Sequence, residues 1–115
     1  MARTDASVLY GTLNLLILKT LAEGSMHGSG IARCIHAQTD DVLNIEEGAL
    51  YPALHRLERD GKLKARWGIS DQNRRAKFYE MTTSGKKYLN GAVASWIRHT
   101  EAVSRVLNVT MERVR

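Results

Sequence analysis

Residues 46–82 read EEGALYPALHRLERDGKLKARWGISDQNRRAKFYEMT, and the order of elements in this stretch decides the fold. Leu50, Ala53, Leu54 and Leu57 recur at helical spacing, which predicts a helix over 47–60 with one apolar stripe. An acid at Glu46 or Glu47 suits the positive end of the helix dipole. Asp60-Gly61 ends the helix with a glycine suited to the left-handed conformation. Pro52 removes one backbone hydrogen bond from an early turn and predicts a local kink. After Gly61 the period shortens to that of a strand. Lys62, Lys64 and Arg66 alternate with Leu63, Ala65 and Trp67; the polar turn GISDQNRRA follows; the return strand alternates Lys77, Tyr79 and Met81 with Phe78 and Glu80. The expectation is a helix joined directly to a two-stranded β-ribbon over 62–82.

The net charge lies in the same stretch. Between His55 and Lys77 stand eight basic residues (Arg56, Arg59, Lys62, Lys64, Arg66, Arg74, Arg75, Lys77) and three acidic ones (Glu58, Asp60, Asp71), a surplus equal to the +5 of the whole chain. A basic surplus confined to one helix and one hairpin is the electrostatic footprint of a nucleic-acid reader. Tyr51, His55, Arg56 and Arg59 lie off the apolar stripe. With Lys64, Arg66, Arg74, Arg75 and Lys77 they are the expected DNA-binding residues. The helix would enter a major groove while the hairpin tip reaches phosphates or a minor groove. The plainer reading is a solvated ribbon whose charged edges guard against aggregation. The coincidence of helix, hairpin and net charge weighs against it.

Composition bounds the rest. A chain of 115 residues makes one domain with room for a projecting element, and 43% hydrophobic residues suffice for a small core. A pI near 9.7 asks for an anionic partner without choosing among DNA, RNA and membrane. No apolar run approaches the ~18 residues of a membrane span, and no basic-then-apolar leader opens the chain. Both point to a cytoplasmic protein. Cys34, the single cysteine, leaves no partner for an intramolecular disulfide or a cysteine-based metal site. It reads as a buried small hydrophobe, with a redox-sensing thiol as the sharper alternative. His27, His36, His55 and His99 lack metal-ligand spacing, and there is no phosphate-cradling loop or nucleophile elbow. No enzymatic activity, metal or cofactor is therefore expected. Nor is there an aromatic platform for single strands, or a basic amphipathic helix suited to a membrane surface.

Upstream, a helix is expected to begin near Tyr10–Thr12, with Leu13, Leu16, Ile17 and Leu21 on one face and Leu9, Leu15 and Leu18 widening it. Such a helix needs cover on more than one side, which suggests a subunit contact in addition to the core. A second helix runs from His27 or Gly28 to Gln38, with Ile31, Cys34 and Ile35 facing inward. Gly28 and Gly30 imply a close approach, by a neighbouring helix or by a phosphate. Residues 1–8 and 110–115 read as frayed ends. Downstream, Thr82 or Thr83 caps a helix of about 25 residues. On it Leu89, Val93, Trp96, Thr100, Val103 and Leu107 form a heptad seam interrupted only by the threonine. At about 1.5 Å per residue it spans roughly 37 Å, more than a small core covers. The seam therefore reads as a dimer interface; folding back on its own domain is the alternative. The expected fold class is mainly α with a small β-hairpin, a winged helix-turn-helix domain (1–82) and a C-terminal dimerisation helix with a loose end (83–115).

Three strings, LNLLILKTLAEGSMHGSGIA, EGALYPALHRLERDGKLKARW and RRAKFYEMTTSGKKYL, resemble the PadR family of bacterial transcriptional regulators, in its short form with one C-terminal helix. The matching features are His27-Gly28, the run Gly48-x-Leu50-Tyr51-Pro52-Ala53-Leu54, and Phe78-Tyr79-x-Met81-Thr82. Ser29 stands where a Tyr is common, Glu46-Glu47 where Ser-Pro is usual, and Lys62 where a Leu is frequent. The resemblance implies a homodimeric winged-helix repressor of double-stranded DNA. Tyr51, His55 and Arg56 would then line the major groove, and the wing around Arg74, Arg75 and Lys77 would meet the backbone. Some family members hold a flat apolar effector between the C-terminal and first helices. Trp96 would stack there on such a ligand, or on its dimer mate. The competing function is a winged-helix scaffold for protein partners with only non-specific nucleic-acid affinity.

Overall fold

In the computed structural model residues 6–109 are described, with side chains from Thr12 onward. The first helix, α1 (Ala6–Leu21), starts four residues before the expected Tyr10. Ala6, Ser7 and Val8 carry no helix breaker, so the helix simply runs back through a stretch read as frayed. The expected loose ends at 1–5 and 110–115, and the side chain of Leu9, lie outside the described residues. Leu13, Ile17, Leu18 and Leu21 are fully buried. The helix packs against all three other helices and the return strand of the hairpin. Much of the cover expected from a second subunit is thus supplied by the chain itself.

A short strand, β1 (Met26–His27), leads into α2 (Gly28–Gln38). The N-cap of α2 is unusual: the His27 Nδ1 accepts from the Gly30 N–H at 3.0 Å. Ile31 and Ile35 face the core as expected, but Cys34 is only half-buried, its Sγ accepting from the Gln38 Nε2 at 3.5 Å. It is displaced because Ile31 and Ile35 define the inward line, and a residue one position before Ile35 sits about 100° round the helix from it. Thr39 closes α2, its hydroxyl donating to the Ile35 carbonyl at 2.9 Å and accepting from the Leu43 N–H at 3.1 Å. Asp40 and Asp41 then take positive φ, which short polar side chains tolerate, and the chain turns into α3 (Glu47–Arg59).

The hairpin consists of β2 (Leu63–Ile69) and β3 (Arg75–Met81), and both strands run further toward the tip than the long polar turn predicted. Only 70–74 remain as turn, closed by Ser70 and Arg74 at 2.8 Å and with Asn73 at positive φ. The two-stranded ribbon is corrected to a three-stranded antiparallel sheet, order β1-β3-β2, because Met26 and His27 pair with Tyr79 and Phe78. Two residues between turn signals give no alternation to read, so β1 had no sequence signature.

The last helix, α4 (Thr83–Leu107), has its N-cap at Thr82, whose hydroxyl accepts from the Gly85 N–H at 3.0 Å and donates to the Gly61 carbonyl at 2.7 Å. The 49 Å long axis of the protein reflects this 25-residue helix, only part of which lies on the core. No described helix is long and apolar enough to cross a membrane. Winged-helix architecture follows from the arrangement: three helices, a hairpin wing directly after the third, and one appended long helix.

Candidate nucleic-acid interface

Burial of one stripe orients α3. Leu50, Ala53, Leu54 and Leu57 are within 2% of complete burial, which anchors the helix at about 1.5–3 kcal/mol for each large aliphatic side chain. Tyr51, His55, Arg56 and Arg59 are turned to solvent on the other side. Pro52 lies inside the helix and leaves its start at Glu47 and its end at Arg59 in place. The end is a Schellman motif: the Lys62 N–H reaches the Leu57 carbonyl at 2.9 Å and the Gly61 N–H the Glu58 carbonyl at 3.0 Å, with Gly61 at φ 77°. Strand β2 starts immediately afterwards, so the wing is tied to the C-terminal end of this helix without a linker.

The Tyr51 ring packs on the first turn of α2. A Cβ at Gly28 would stand 2.8 Å from its Cε1, so of the two readings of that glycine the structure supports close packing. Tyr51 remains 41% exposed, its other surface open to a cleft of about 590 Å³. The cleft lies between the open side of α3, the start of α2 and the wing. His27, Ser29, Tyr51, His55, Trp67, Gln72, Arg74, Arg75 and Lys77 are among its lining residues.

Strand register sorts the basic residues of the wing. Trp67 pairs with Lys77 and Ile69 with Arg75, so these four share the face turned toward α3; Lys64 pairs with Glu80 and Arg66 with Phe78 on the opposite face. Of the nine expected contact residues, Tyr51, His55, Arg74, Arg75 and Lys77 therefore converge on the cleft, whereas Lys64 and Arg66 do not. Arg66 lies over the Phe78 ring at 5.6 Å and donates to the Ser25 hydroxyl at 3.5 Å. Arg56 and Arg59 are exposed on α3 outside the cleft, and Arg59 reaches the neighbouring Asp60 at 3.2 Å.

Two of the converging cations have partners within the chain. The Arg75 guanidinium stacks 4.7 Å above the Trp67 ring. Lys77 donates to the Glu58 carboxylate at 2.9 Å, and this bond holds its ammonium above the ordinary lysine value despite some desolvation. Beneath it lies the Tyr79 ring, buried, its phenol pushed upward by that burial. In the sequence Trp67 is marked only as alternating, with Leu63 and Ala65, against the basic residues of the strand. It does share their face, but the strand outruns the core and leaves the indole 59% exposed. The signal for this was the continuation of the strand beyond Ala65.

A second groove, of about 640 Å³, lies between α1 and α4 and is lined by residues that include Asn14, Leu15, Tyr88, Gly91, Trp96 and His99. Along the expected seam, Leu89 is buried in the chain's own core and Val93 packs against it. Beyond them Trp96, Ile97, Val103, Val106 and Leu107 are exposed, a line of apolar side chains that nothing among the described residues covers.

The model of the transcriptional regulator PadR-like family matches residues 17–91. A protein of Lysinibacillus sphaericus without an assigned function is 32% identical over 113 residues, 97% of each chain. A transcriptional regulator from Clostridium thermocellum shares the fold with a TM-score of 0.75 at 32% identity, over 89% of this chain and 95% of that one. A PadR family regulator from Eggerthella lenta superposes with the same TM-score at 28% identity, over 91% and 89%.

Proposed function

The chain belongs to the PadR-like family of transcriptional regulators, and from that premise we propose that it represses transcription as a homodimer bound to operator DNA. Helix α3 lies in the major groove with Tyr51, His55 and Arg56 against base edges, and the wing follows the backbone through Arg74 and Arg75. The observation that carries this reading is the cleft that joins the open side of α3 to the cationic wing face. A protein-binding scaffold would not need guanidinium groups aimed into the same cleft as the exposed side of a helix. The family is one of transcription factors, not enzymes, in agreement with the absence of catalytic motifs from the sequence.

The test is fluorescence anisotropy on the duplex upstream of the protein's own gene, against a scrambled duplex, at two salt concentrations. The expected result is tight, salt-sensitive binding to the first alone. Equal weak binding to both at every salt would favour the scaffold.

The division into a DNA-binding unit (1–82) and a dimerisation helix (83–115) belongs to the same proposal. Two copies would cover the apolar line from Trp96 to Leu107 by pairing their α4 helices, and a flat apolar effector would enter the α1–α4 groove against Trp96. By favouring one spacing of the two α3 helices it would set the DNA affinity. Trp96→Glu places a charge in that seam and is expected to give monomers in sedimentation at micromolar concentration. A dimer that survives this change would remove the seam from the proposal.

A further inference from the structure

Lys77 stands in the row of wing cations, yet its ammonium is already held. Its donor is directed at Glu58, at 2.9 Å, and both side chains are about one-third exposed or less, at 28% and 34%. Glu58 is in the last turns of α3 and Lys77 is in the middle of β3. Apart from the Gly61 turn that joins them covalently, this ion pair is the one side-chain hydrogen bond between α3 and β3 among the described residues. The residues around it are consistent with a fixed geometry. Tyr79 lies below the ammonium at 5.5 Å, and Trp67, paired opposite Lys77, carries the stacked Arg75.

We propose that Glu58 and Lys77 form a strut that sets the separation of recognition helix and wing, so that both are positioning residues for sequence recognition. Lys77 is then not one of the phosphate contacts. The inference rests on the DNA-binding reading above and deepens it.

The two roles of Lys77 predict opposite signs at Glu58. If Lys77 reached a phosphate, Glu58 would compete for it, and removing the acid would strengthen binding to any DNA. If the pair is a strut, removing the acid frees the wing. Specific binding then weakens even though a negative charge has left a DNA-facing surface, because phosphate contacts can no longer be made in register with base contacts. The salt slope separates the cases further, since loss of one phosphate contact lowers it by about one.

The experiment uses the full chain and a duplex enriched by it from a random-sequence pool, with a scrambled duplex as reference. The measured quantities are the ratio of the two affinities and the salt slope for wild type, Glu58→Ala, Lys77→Met, the double variant, and the charge-exchanged pair Glu58→Lys with Lys77→Glu. The expected result is that either single change lowers the ratio about fivefold, the scale of a partly exposed ion pair. The double variant is no worse than the singles, the slope stays within half a unit, and the exchanged pair regains most of the loss. The inference is overturned if Lys77→Met weakens both duplexes equally and lowers the slope by about one while Glu58→Ala strengthens both. A wild-type protein that enriches no sequence would instead bring down the DNA-recognition reading itself, before any variant is made.

Discussion

Gly85→Ala is expected to lower the melting temperature by about 10 °C, although replacing glycine by alanine within a helix ordinarily stabilises it by up to about 1 kcal/mol. The sign reverses because of what surrounds the third residue of α4. A Cβ there would collide with the Lys62 carbonyl oxygen and stand 2.8 Å from the Met81 Cγ. Methionine can swing aside, but the carbonyl cannot. It accepts the Thr82 N–H at 3.1 Å, while the Lys62 N–H is bound to the Leu57 carbonyl at 2.9 Å in the motif that ends α3. Overpacking against fixed backbone costs about 1–3 kcal/mol and sometimes more, and at roughly 4 °C per kcal/mol the upper end gives the stated shift. Gly91→Ala on the same helix is the control. Its Cβ would meet open space, so it is expected to raise the melting temperature by a few degrees. Thermal unfolding followed by circular dichroism measures both. Equal, small shifts for the two variants would mean that the junction of α3, β2 and α4 is not packed as described.

That junction illustrates what the sequence could and could not reveal. The ends of the elements were legible because they are local: Gly61 after Asp60, Thr82 before an apolar periodic run, Leu50 to Leu57 at helical spacing. The partner of Gly85 was not, because it lies more than twenty residues earlier in the chain and carries no pattern. The same holds for the site. Alternation along the hairpin correctly separated two faces, but it could not say which face turned toward α3. Lys64 and Arg66 were therefore grouped with Arg74, Arg75 and Lys77, and the exposure of Trp67 beside Arg75 went unread. Charge counting has a related blind spot. Lys77 contributes to the local surplus whether it is free or bound to Glu58, and only coordinates distinguish the two. For the first helix, periodicity exposed too much apolar surface for one neighbour. It suggested a subunit contact in addition to the core, and the chain's own helices and sheet supply part of that cover.

Replacing Arg74 and Arg75 together by alanine is expected to weaken binding to selected and scrambled duplexes alike, by tenfold or more at low salt, and to reduce the salt slope by about two. Both residues are exposed at the wing tip and line the cleft with the open side of α3. Among the described residues neither is bonded to a carboxylate, in contrast to Lys77. Phosphate contacts carry affinity and little sequence information, so the ratio between the two duplexes should change far less than either affinity. Arg75 should not be replaceable by lysine without loss. Its planar guanidinium stacks on Trp67 at 4.7 Å and is held in position before DNA arrives, whereas an ammonium on a flexible stem is not oriented in that way. Arg66→Ala serves as the comparison of equal charge. Arg66 is turned to the opposite face over Phe78, so it should cost less than either tip residue and leave the slope nearly unchanged. If Arg66→Ala matched the tip variants in affinity and slope, the protein would be sensing total charge alone. The assignment of DNA contact to the face of the wing turned toward α3 would then fall.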